Sequence, residues 1–188
     1  MMNRILFLLL ISTNGLFAQN NGDTEILIKK ILSDSTYGKG ELRVIMELEK
    51  DPVEDALKEM ESSTEFVNPS DGAKIVISKK EKKELIRGIR SQYGKTIDGK
   101  FFNGHKWISY KYIKPYLEQS TNRVDGNRVM MITEPVYIRN GEICMIYTLH
   151  LCCDFGGQAS LWFYKKEKGN WRKWIPISQG LFKRHESS

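Results

Sequence analysis

The sequence predicts an α+β fold: N-terminal helices packed on a C-terminal antiparallel β-meander, of which a curved, cone-like sheet is one form. Three observations predict it. Residues 132 to 178 alternate runs of β-formers with turn signals at Asn140-Gly141 and Gly169-Asn170. Within that stretch Ile143, Met145, Tyr147, Leu149 and Leu151 fall on one strand face, wholly apolar, and require a covering layer. The first half of the chain supplies that layer, with apolar residues at helical spacing and two helix-start signatures.

In chain order, the first 18 residues read as an address. Arg4 is a positive n-region, Ile5 to Ile11 an apolar core, and Leu16-Phe17-Ala18 a small-residue cleavage site before Gln19. The apolar run is shorter than the roughly 20 residues a bilayer demands, so no stable membrane insertion is expected after cleavage. The expected location is exported, periplasmic or extracellular. Residues 19–188 then form one expected α+β domain, long enough for its own core. The 29 basic residues less Arg4 leave 28 against 23 acidic ones, a balance of +5. That balance is mild and its charges are spread along the chain, so no nucleic-acid partner is expected.

Asp23 or Thr24 should cap a helix over 25–33, with Leu27, Ile28, Ile31 and Leu32 as its apolar stripe. Residues 41–49 alternate with period two and predict a half-buried strand. Asp51-Pro52-Val53-Glu54 predicts a helix to about Met60, capped by Asp51. Residues 62–72 read as a polar loop, 74–78 as a short strand. Ser78-Lys79-Lys80-Glu81 is a capping box opening a helix with Leu85, Ile86, Ile89 and Tyr93 inward, stopped at Gly94. Its lysine run reads as a solvated helix face. Residues 107–117 predict a strand or irregular packing segment, and 118–128 a polar loop.

The meander itself carries a resemblance. Pro135-Val136-Tyr137, the long apolar strand, the Cys152-to-Gly157 loop, Leu161-Trp162-Phe163-Tyr164-Lys165-Lys166 and Gly169-Asn170-Trp171 form a pattern. It resembles the C-terminal region of small, uncharacterised exported proteins of Bacteroidetes-type bacteria, over residues 132 to 178. The resemblance implies export and a sheet, and no activity. It is carried by a pattern in which the loop cysteines are commonly separated, whereas Cys152 and Cys153 are adjacent here. The element order is also that of nuclear-transport-factor-2-like proteins, a likeness that licenses no function.

Chemistry-bearing residues gather at the end of the long strand. Opposite its apolar face lie Cys144, Ile146, Thr148, His150 and Cys152. Cys144 and Cys152 stand about 26 Å apart on an extended strand, beyond disulfide reach. Adjacent Cys152 and Cys153 are too close for an ordinary bridge, leaving a strained vicinal ring or unbridged thiols. His150, Cys152 and Asp154 have the residue types of a nucleophile, its base and an orienting carboxylate, or of zinc ligands. Their spacing matches no established signature, and a strand end filled by His and Cys beside a Gly-Gly turn is the favoured reading. No metal site and no cofactor is expected, since Gly156-Gly157 lacks the spacing of a phosphate loop.

Two function classes follow. The first is an exported, non-catalytic binding or interaction module for a protein or small-molecule ligand, contacted through Thr148, His150, Cys153 and Asp154. The second is a small cysteine- or metal-dependent hydrolase centred on His150 and Cys152. They part on whether Cys152 is an activated thiol.

Overall fold

A computed structural model of the chain describes residues 22–34, 41–102, 104–112, 128–151 and 157–182. The chain divides into two compact units, residues 1–35 and 36–188. In the first, helix α1 spans residues 22–34. Leu27 and Ile28 on its expected stripe are fully buried. Lys29 and Lys30 sit on exposed faces, paired at i,i+4 with Glu25 and Asp34 at 2.6 and 2.7 Å. The leader-like residues 1–18 lie outside the described residues.

The second unit holds strands β1 (Leu42–Ile45), β4 (Lys106–Ile108), β5 (Arg128–Ile132), β6 (Val136–Ile138), β7 (Ile143–Leu151), β8 (Gly157–Glu167) and β9 (Asn170–Phe182) in one sheet. Their order is β4-β1-β5-β7-β8-β9, with β6 pairing the N-terminal end of β7 beyond β5. The sheet is open and mostly antiparallel, as the meander predicts. Two pairings are parallel, β1 with β4 and β1 with β5. Each parallel pair joins segments remote in sequence, and no local turn signal marks such a pairing. β1 is therefore a central strand, which is why Val44 and Ile45, on opposite faces, are both fully buried.

The β8–β9 connection is a two-residue hairpin, with Lys168 at φ 50° and Gly169 at φ 81° between paired Glu167 and Asn170. Positive φ at both central residues gives a twist that matches the flanking strands. β2 (Glu65–Val67) and β3 (Lys74–Val76) form a separate hairpin around Asn68–Gly72. β2 falls where the sequence predicts loop. Its three residues bury Phe66 alone, too short a run for periodicity to register.

Helices α2 (Lys50–Ser62) and α3 (Lys79–Arg90) cover the apolar face. Val53, Leu57 and Met60 of α2 and Leu85 and Ile89 of α3 join Met145, Tyr147, Leu149, Leu161, Phe163 and Ile175 in one core. The α3 capping box forms as predicted: Ser78 Oγ accepts from Glu81 N at 3.1 Å, and Glu81 Oε2 accepts from Ser78 N at 2.7 Å. At α2 the expectation is corrected. The N-cap is Glu49 without a side-chain bond, and Asp51 lies in the first turn. Pro52 still fits, because the N–H groups of that turn have no helical partner. Glu54 faces α3, where Arg90 donates to both its oxygens at 2.9 and 2.7 Å and Tyr93 Oη donates at 2.9 Å. Arg128, expected in a loop, opens β5 opposite Leu42.

Candidate functional site

Strand β7 positions the candidate residues. Its ladder with β8 runs unbroken from Ile143 opposite Lys165 to Leu151 opposite Gly157. Period two then places Cys144, Ile146, Thr148 and His150 on the face away from α2 and α3. Their cross-strand partners on β8 are Tyr164, Trp162, Ser160 and Gln158. β5 adds Met130 beside His150 and Ile132 beside Thr148, and β9 adds Lys173 beside Tyr164 and Pro176 beside Trp162.

This face changes character along its length. Cys144 and Ile146 are buried, and so is Thr148. The Thr148 and Ser160 hydroxyls are 2.9 Å apart and satisfy each other. Thr148 is thus a cross-strand pair inside the sheet rather than a group awaiting a ligand. His150, two residues on, is only partly buried. Cys152, Cys153 and Asp154, named with it from the sequence, lie outside the described residues.

The electrostatics at the His150 end are one-sided. Burial, followed by the positive charges of Lys173 and Arg128, pushes the imidazole down to about 4. His150 is therefore neutral at pH 7. Lys173 Nζ sits 4.0 Å from the centroid of the Trp162 ring. Its desolvation lowers the ammonium from its ordinary value, and no carboxylate pairs with it among the described residues. The ring faces the cation, an arrangement that stabilises a charge removed from water. Trp162 Nε1 is buried with no acceptor among the described residues. The result is a patch in which Lys173 lies over the Trp162 indole while Lys173 and Arg128 both act on a neutral, partly buried His150. Sequence reasoning singled out His150 and weighed Trp162 as a stacking side chain, favouring core for it, but missed Lys173 and Arg128, since only strand pairing brings them near.

These surroundings bear on the chemistry. An imidazole near 4 is a weak base at neutral pH and does little to deprotonate a thiol, which works best with a partner poised near the operating pH. Two neighbouring cations also oppose a divalent metal. Among the described residues no group of three His, Cys, Asp or Glu side chains is placed to hold a metal ion. What the patch can do is receive negative charge.

Compared with protein-family models, with curated proteins and with solved structures, the chain matches none.

Proposed function

We propose that this chain is an exported, non-catalytic binding module whose ligand carries negative charge and meets the sheet at His150, Lys173, Trp162 and Arg128. The observation that carries this reading is the Lys173 ammonium, exposed on β9 but set 4.0 Å from the Trp162 ring centroid without a carboxylate partner among the described residues. Partial desolvation over the indole lowers the ammonium, and a cation so placed with no carboxylate beside it favours an anionic ligand. An anion with a planar body would satisfy the ammonium and extend the stack on the indole.

A suitable probe is 1-anilinonaphthalene-8-sulfonate, a planar aromatic anion whose fluorescence rises on binding. Wild-type protein should bind it and quench tryptophan emission, and Lys173→Gln should weaken binding about tenfold, the worth of one desolvated charge contact. Equal affinity in Lys173→Gln would sink the proposal. Thiol reactivity against pH tests the hydrolase: an activated Cys152 would react well below the ordinary thiol range near 8.5. Export rests on the Leu16-Phe17-Ala18 pattern. Secreted material should begin at Gln19 by intact mass, and retention of residues 1 to 18 would refute cleavage there.

A further inference from the structure

Helix α3 carries a feature that the fold does not require. Lys79, Lys82, Lys83, Ile86, Arg87 and Arg90 fall at helical spacing on one side, and with Glu61 of α2 they line a groove of about 500 Å³. Two of the five cations have structural work. Lys82 Nζ donates to the Glu61 carbonyl oxygen at 2.6 Å, and Arg90 holds Glu54 and Glu61. Lys79, Lys83 and Arg87 make no ion pair among the described residues. Helix stability argues against this arrangement. Like charges four residues apart, as at 79, 83 and 87, repel. Lysines in a first turn also oppose the positive end of the helix dipole. Arg87 lies in the last turn, where a cation is favourable, so the cost falls mainly on Lys79 and Lys83; charges that pair with nothing are candidates for a partner.

We propose that this groove docks an extended acidic segment of a partner protein. Lys79, Lys83 and Arg87 are spaced about 6 Å apart along the axis, four residues at 1.5 Å each. Alternate side chains of an extended peptide recur at about 6.8 Å, so carboxylates on one face of such a segment meet the three cations in register. Ile86, half-buried among them, gives the floor an apolar patch for one aliphatic side chain of the segment. Among the described residues no aromatic side chain lines the groove, so they give nucleic-acid bases no stacking platform there. The inference is independent of the His150 patch, with which it shares no residue.

The experiment uses fluorescence polarisation with a short fluorescein-labelled peptide that has glutamate at every second position and serine between, one of the glutamates replaced by leucine. Single-stranded oligothymidine and phosphatidylserine vesicles are run beside it. The peptide should bind best, and more weakly as salt is raised. The triple variant Lys79→Gln, Lys83→Gln, Arg87→Gln should lose about tenfold, as three exposed charge contacts together supply. Its thermal midpoint should not fall, since repulsive pairs are removed. Ile86→Ser should weaken binding of this peptide yet leave unchanged that of a peptide with glutamate at every second position and no leucine. Lys173→Gln should leave peptide binding as in wild type, which separates this groove from the anion patch. Unchanged peptide affinity in the triple variant overturns the proposal, as does tighter binding of the oligonucleotide or the vesicles.

Discussion

Tyr147 and His150 lie three residues apart on β7 and show how one strand imposes opposite conditions on its two faces. Tyr147 points into the helix-covered core, fully buried, and its hydroxyl has no hydrogen-bond partner among the described residues. Burial raises its phenol well above the ordinary value, with Tyr110, Asp55 and Tyr93 adding to the effect. An unsatisfied buried hydroxyl costs on the order of 1–3 kcal/mol, so Tyr147→Phe should be neutral or stabilising. Urea denaturation checks this, and a loss of 1 kcal/mol or more would mean that the hydroxyl is bonded after all. His150 faces the other way and titrates near 4 in the folded protein, against about 6.5 unfolded. Between those values the unfolded chain binds the extra proton and the folded one does not, so stability falls as pH drops from about 6.5 toward 4. The full effect is up to about 3 kcal/mol. His150→Gln should flatten stability across that window, and a profile parallel to wild type would refute the assignment.

At the scale of elements, side chains decide how closely pieces approach. Gly88 lies inside α3, where alanine would normally raise helix propensity by about 1 kcal/mol. A Cβ there would stand 2.5 Å from Val136 Cγ1 of β6, so the missing side chain is what lets helix and strand touch. Gln92 reinforces the same junction. Its amide accepts from Glu134 N at 2.8 Å and donates to Glu134 O at 3.1 Å, acting as a short substitute strand. Gly88→Ala should therefore destabilise by about 1–3 kcal/mol despite its propensity gain, because overpacking forces the backbones apart. A thermal midpoint at or above wild type would show that Val136 yields freely. The turn after β6 is tied to α3 as well. Arg139, held at φ 53°, donates to Glu81 Oε1 at 2.8 Å and to Val76 O at 2.6 Å. That guanidinium, with the Ser78 backbone N–H, holds the Glu81 carboxyl at about 2. The capping-box glutamate thus fastens the helix start and the hairpin in one contact. Its cap role is legible in the sequence three residues from Ser78, while its long-range role is not.

For the whole unit of residues 36–188, the strand order sets which chemistry meets. The period-two pattern of β7, the Asn140-Gly141 and Lys168-Gly169 turns and the Ser78 capping box are local, and each is readable because its energetics involve neighbours within a few residues. They determined the α+β class, the meander, the buried apolar face and its helical cover. His150 could be singled out for the same reason, as a polar residue closing an apolar strand. Its surroundings could not. Lys173 reaches Trp162 through a β8–β9 pairing whose register shifts between Leu161 and Trp162 and again between Phe163 and Tyr164. Arg128 joins them through β5, whose neighbour β1 lies more than eighty residues earlier in the sequence. Register across strands is fixed by the sum of many side-chain contacts, and no short stretch encodes it. The sequence by itself determined the periodicities, the caps and the turns, because these are energies of adjacent residues. Only the tertiary structure decided that Thr148 is closed off by Ser160 while His150 is left among cations, because burial and charge at a point depend on what distant segments bring there.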